Sequence, residues 1–250
     1  MASLEAEIDK AMALSIEEIT DALLEFGFEC TRCGECCKGE SIGEKDEQDA
    51  ELQTDSASTN YHTATIFPAE IRSIINHISR TTNTIVSWDE VARPIPYGLS
   101  SPTDNLADSS SSYTGETFEW ALSTKECGNC TFYHEDSDGH GMCGIYEKRP
   151  RICQTYPFSV EFEDSSYSPA ESMGDTVGKI GSVRAHTCEG LGKSISESRA
   201  RELAITLKER AIRERVEMLA VVHNYTSVDS SDRVVVHDSE GQKKPDGTQP

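Results

Sequence analysis

The stretch Cys30-Thr31-Arg32-Cys33-Gly34-Glu35-Cys36-Cys37 places four of the chain's nine cysteines within eight residues. Its first three cysteines follow C-x2-C-x2-C, a spacing at which a tight loop turns three thiolates toward one centre, as in the bacterial ferredoxin run. Gly34 suits such a loop, because a chain wrapped closely around a metal needs permissive backbone angles. The neighbours Cys36 and Cys37 pose a separate problem. Their Cα atoms lie only ~3.8 Å apart, and in an extended chain their side chains diverge. Either they serve different metals or one is a spare thiol; a disulfide between them would be strained.

A second group follows far along the chain. Cys127-Gly128-Asn129-Cys130 leads to Cys143 after twelve residues and to Cys153 after nine more. A C-x2-C knuckle with two later thiols is a common way to give zinc four sulfur ligands. Cys188 stands alone and is available to complete the first group, so the simplest arithmetic is two sites of four with one cysteine over. The expected cofactor is a [4Fe-4S] iron-sulfur cluster or zinc. Ligand type does not separate the two, since the first group's spacing leans to iron-sulfur and the second group to zinc. His134, His140 and His186 lie near cysteines in sequence and are available to replace a thiolate, with exposed loop histidine as the default reading.

Composition narrows the rest. The 250 residues carry 44 Asp and Glu against 23 Lys and Arg, a formal net charge of -21 and a pI near 4.6. Nucleic acid is not expected as a partner, because phosphate binding needs a basic stripe. Acids spread along the whole chain suit a halophilic cytoplasm, where molar salt shortens the Debye length to roughly 3 Å and screens their repulsion. The N-terminus lacks the basic region and apolar run of a signal peptide, and no stretch approaches the ~18 apolar residues that span a bilayer. These features predict a cytoplasmic protein with no membrane partner. In a reducing compartment, clustered cysteines point to metal before disulfides.

Outside the cysteines the pattern is mostly helical. Apolar residues Leu4, Ile8, Met12, Ile16, Ile19, Leu23 and Phe26 recur at helical spacing, predicting one N-terminal helix within residues 1–29 that Gly27 ends. Pro68 opens a second helix to about Arg80. Ser87 and Glu90 have capping-box spacing for a short helix to about Ala92. Ser194 and Glu197 do the same for a long helix to about Asn224, with Leu203, Leu207, Ala211, Val216, Leu219 and Val222 on one face. Residues 118–122 read as a short strand. Residues 39–60 and 100–115 read as flexible insertions, and residues 226–250 as a partly disordered tail. The expected fold is mostly α, with irregular α+β possible: helices around cysteine-rich loops in a domain over residues 30–225, with little regular sheet.

Three stretches resemble the YkgJ cysteine-cluster family, also called the CxxCxxCC zinc- or iron-chelating domain. They are residues 30–37; Met142-Cys143-Gly144-Ile145-Tyr146-Glu147-Lys148-Arg149-Pro150 running on to Cys153-Gln154-Thr155-Tyr156-Pro157-Phe158; and Cys188-Glu189-Gly190-Leu191-Gly192-Lys193. The resemblance implies that the clustered cysteines chelate metal. It makes Arg149 and Tyr156 motif residues around the cofactor, with Arg149 placed to offset thiolate charge. Gln154 stands where the family commonly has Arg. Some members of this broad group resemble flagellin lysine N-methylases, which makes a cluster-containing protein methyltransferase the alternative activity; a zinc-stapled adaptor with a protein partner is the other. No catalytic constellation can be picked out. Gly190-Leu191-Gly192-Lys193-Ser194 fails as a phosphate loop because Thr187 stands where the first glycine is required.

Overall fold

The computed structural model describes residues 3–39, 64–95, 99–100, 113–162 and 176–250. The two expected insertions fall mostly outside the described residues.

The N-terminal segment forms two helices rather than one. Helix α1 (Leu4–Ala13) ends at Leu14, and Ser15 then caps α2 (Ile16–Phe26), its hydroxyl accepting from the Glu18 amide at 3.2 Å. The apolar period runs through both helices, but Ser15 offers the backbone a fresh N-cap and splits them. Gly27, at φ +64°, closes α2 as expected.

Strand β1 (Thr65–Ile66) precedes α3 (Pro68–Thr82), which begins at Pro68, and α4 (Trp88–Val91), where Glu90 accepts from the Ser87 amide at 2.7 Å. Next come β2 (Ala92–Pro94), β3 (Leu99–Ser100), β4 (Thr114–Thr117) and β5 (Trp120–Leu122). The hairpin β6 (Tyr133–Glu135) and β7 (Gly141–Cys143) leads into α5 (Arg151–Thr155). Strands β8 (Phe158–Val160), β9 (Thr176–Ile180) and β10 (Val183–His186) precede α6 (Glu197–Asn224), and β11 (Val234–Asp238) and β12 (Gly241–Lys243) finish the chain. The cap of α6 is Ser196, whose hydroxyl accepts from the Arg199 amide at 3.3 Å, and not Ser194.

The strands assemble into four small sheets, ordered β1-β5-β2, β8-β10-β9, β12-β11-β4-β3 and β6-β7. The described residues are 41% helical and 22% strand, so the fold is mixed α+β. This corrects the expectation of a mostly α protein with little sheet. The physical reason is strand length: two to five residues is too short for a period-2 pattern to stand out from its flanks. The C-terminal segment is likewise ordered into sheet, because β11 pairs in parallel with β4, Val235 opposite Glu116.

Two hydrophobic cores result. One packs α1, α2 and the first half of α6 against β8 and β10, through Ile19, Leu23, Phe158, Val183, Leu203 and Leu207. The other gathers Ile66, Ile71, Ile74, Trp120, Leu122, Tyr133 and Ile145, and it includes Cys130. Helix α6 departs from its expected apolar face after Ala211: Val216 and Val222 are exposed, whereas Arg210, Glu214, Arg215 and Glu217 are buried. Arg215 pairs with Glu7 of α1 at 3.3 Å and lies over the Phe162 ring, and Arg210 pairs with Glu214 at 2.6 Å. No helix of the described residues is long and apolar enough to cross a membrane.

Candidate metal centre

Residues 35–37 form a single 3-10 turn, entered through Gly34 in the left-handed region at φ +81°. The turn reverses the divergence expected of neighbouring cysteines in an extended chain and brings the Cys36 and Cys37 sulfurs to 3.9 Å. A side chain at position 34 is excluded as well as strained, since its Cβ would fall 2.5 Å from the Tyr133 ring. Gly141 passes against the same spot, where a Cβ would lie 2.8 Å from the Gly34 Cα, and its amide donates to the Arg32 carbonyl at 2.8 Å. The β6-β7 hairpin is thus clasped against the cysteine loop, with Cys143 in register opposite Tyr133.

Other elements bring further thiols to this turn. The Cys130 amide donates to the Cys37 carbonyl at 2.8 Å, and Cys130 is buried. Cys37, Cys143, Cys153 and Tyr156 pack against the core that contains Cys130. Cys153 rides on α5, a helix held at both ends. Glu70 of α3 accepts from the Arg151 amide at 3.0 Å, and Arg210 of α6 donates to the Thr155 hydroxyl at 2.9 Å and the Phe158 carbonyl at 3.1 Å. On the other flank, Phe28 bridges Leu191 and the Glu29 amide donates to the Gly190 carbonyl at 3.0 Å, which sets Cys30 beside the Cys188 loop. Tyr156 spans both flanks, its hydroxyl donating to the Thr187 carbonyl at 2.6 Å. Cys127 is exposed in the turn that the Thr124–Cys130 bridge closes.

The thiols sense one another. Burial pushes the Cys130 thiol up to about 11, with the charge of Cys143 adding to the effect. Burial also raises Cys143, Cys153 and Cys188. Cys153 feels Cys130, Cys36 and Cys143, whereas Cys188 feels Cys33, Cys36 and Cys30. Cys36 is raised chiefly by its hydrogen bond with Cys37, then by burial and by the charge of Cys37. Tyr156 is pushed up to about 12 by burial first and then by Cys188, Cys36 and Cys33. Arg149, stacked over Tyr146 at 3.9 Å, opposes these shifts at Cys36, Cys143 and Cys153. A set of thiols whose ionised forms are disfavoured by burial and by one another is suited to a metal ion, whose charge outweighs the repulsion and displaces the protons.

Each predicted site residue can be placed. Cys37, Cys130, Cys143, Cys153 and Tyr156 share one core, the Cys36 sulfur meets that of Cys37, Cys30 follows the segment paired with the Cys188 loop, Cys33 is half-buried, Arg149 stacks over Tyr146, and Cys127 is exposed. His186 is buried and engaged with Ser159 at 3.0 Å, and His134 is exposed on β6. His140 sits with Asp136 and Asp138 in an exposed turn, where their ligand atoms come within 4.8 Å of one another. Sequence reasoning missed Tyr133, Gly141 and Glu70. For Glu70 a signal existed, as an acid at the third helical position after the N-cap of α3, where it also accepts from the Phe67 amide. A separate cleft of about 650 Å³, walled by Phe67, Phe118, Trp120, Glu214 and Glu217 among others, contains none of the cysteines.

Convergent thiols on separated segments define a metal-chelating protein. The family model CxxCxxCC, described as a putative zinc- or iron-chelating domain, matches residues 29–189, a span that includes all nine cysteines, and the chain belongs to that family. No curated protein and no solved structure matches the chain.

Proposed function

We propose that this protein holds an iron-sulfur cluster through its converging thiolates and that the cluster's first role is structural. The observation that carries this reading is the packing of Cys37, Cys143 and Cys153 on the core that holds Cys130, with the Cys36 sulfur 3.9 Å from that of Cys37 and Cys30 set beside the Cys188 loop. The sulfur spacing supports iron-sulfur over zinc. Four sulfurs at ~2.3 Å from one tetrahedral zinc lie ~3.8 Å apart. Among the described residues Cys36 and Cys37 approach that value, but no three thiol sulfurs lie within 4.8 Å of one another. A cluster spreads its ligands over several irons and takes a wider set, and C-x2-C-x2-C is a spacing that ferredoxins use for it.

In this reading the cysteines bind the irons, Arg149 offsets the net negative charge, Tyr156 ties the Cys188 loop to α5, and the Gly34–Tyr133–Gly141 contact fixes the loop's shape. Cys30 and Cys36 are exposed, so one edge of the site faces solvent. Anaerobic purification followed by a visible spectrum tests the assignment. A brown protein with broad absorption near ~400 nm and equal iron and sulfide is expected. A colourless protein with stoichiometric zinc would overturn the choice of metal.

A further inference from the structure

A tetrahedral zinc takes four sulfur ligands and a four-iron cluster takes four cysteines. The thiols fit that number only if the adjacent pair is divided. The core that holds Cys130 takes in Cys37, Cys143 and Cys153, four sulfurs that fill one centre and leave Cys36 over. Cys30 follows the segment paired with the Cys188 loop, and with Cys33 these are three sulfurs that fall one short.

We propose that Cys36 and Cys37 belong to two adjacent metal centres, the first held by Cys30, Cys33, Cys36 and Cys188 and the second by Cys37, Cys130, Cys143 and Cys153. This division rests on the metal-binding reading above and adds to it the number of centres and the ligands of each. Cys127 belongs to neither.

Backbone contacts decide which of the two neighbours goes where. Cys37 gives its carbonyl to the Cys130 amide at 2.8 Å, and its side chain packs in the core that holds Cys130, Cys143 and Cys153. Cys36 is the exposed member of the pair and is not among the residues packed on that core. The first three ligands of the first centre then follow C-x2-C-x2-C, with the fourth supplied by the remote loop that residues 28–29 grip through Leu191 and Gly190. The 3-10 turn places the two centres side by side, since their nearest ligand sulfurs are 3.9 Å apart. Tyr156 fastens the two ligand sets together, packing with the second and bonding to the Thr187 carbonyl next to Cys188.

Native mass spectrometry of the anaerobically purified full chain reads the metal retained per molecule. Cys36→Ser and Cys37→Ser are each expected to lose about half of the iron, or of the zinc if zinc is the metal found. Adding Cys188→Ser to Cys36→Ser is expected to cost no more metal, whereas adding Cys153→Ser removes the rest. Cys127→Ser retains all of it. If Cys36→Ser and Cys37→Ser lose the same whole complement, or if Cys127→Ser loses half, the division is wrong. Should the variants be insoluble, alkylation mapping of the native protein during progressive chelation decides instead. Cys127 is expected to react first, followed by two sets of four; eight thiols exposed in one step would overturn two centres. A chain that carries no metal at all refutes the parent reading and the division with it, whereas a metalated chain with the wrong grouping refutes only the division.

Discussion

The two cores differ in what holds them. The helical core rests on α1, α2 and α6, whose apolar faces interlock over β8 and β10 through fully buried Ile19, Leu23, Phe158, Ala200 and Leu207. The cysteine core packs the 15-residue α3, through fully buried Ile71 and Ile74, against strands of two to five residues and the short helices α4 and α5. Apart from α3, its elements are short and have few hydrogen bonds of their own. The contrast teaches that both cores bury apolar side chains, Ile71, Ile74 and Val91 fully so in the second, whereas clustered thiols belong to the second.

Removing the metal breaks the comparison most sharply. Structural metal binding contributes roughly 10 kcal/mol or more, comparable to the whole stability of a domain. Chelation is therefore expected to abolish amide protection in β5, β6, β7 and α5 while α2 and the first half of α6 keep theirs, as hydrogen exchange reports. Equal loss in both cores would show that they do not differ in this way.

Arg215→Ala strikes the helical core instead. It removes one partner of a fully buried ion pair with Glu7, which costs about 3–5 kcal/mol. Denaturant unfolding measures the loss, and metal content is expected to stay unchanged in the fraction that remains folded.

A smaller effect is expected of Gly34→Ala, where the left-handed backbone and the Tyr133 ring both oppose a side chain, at a cost of about 1–3 kcal/mol. Metal affinity should fall while helical circular dichroism is retained. Metal content equal to that of the parent would show that the loop's shape is not set by this contact.

The smallest effect lies at the C-terminal hairpin. Arg72 foremost, with Lys243, holds Glu240 down at about 2 against an ordinary 4.5. A depressed carboxylate contributes stability that is complete above the ordinary value and lost as pH falls through the folded one. Protection of β12 is therefore expected to be unchanged above about pH 4.5 and to decline toward pH 2, modestly because the pair is partly exposed. In Arg72→Ala the decline should begin at higher pH.

Legibility followed the same division. Helices α3, α4 and α6 were readable to within a few residues because periodicity and caps are local signals. The split between α1 and α2 was missed because the apolar stripe continues across it and only Ser15 marks the break. Residues 118–122 read as a strand and contain β5, but the other strands, two to five residues long, left no pattern, and the parallel pairing of β11 with β4 joins residues more than a hundred apart in sequence. At the site, the cysteine-rich stretches were legible, since C-x2-C spacing is itself local. The approach of Cys36 to Cys37 was not, because it needed the 3-10 turn.

The central claim is that the thiols of this chain hold metal in the folded protein. Element analysis of the anaerobically purified chain, paired with a count of thiols reactive before and after chelation, tests it most directly. Bound iron or zinc is expected, with most of the nine cysteines protected until the metal is removed. A folded protein free of both metals, with all nine thiols reactive from the start, would contradict it.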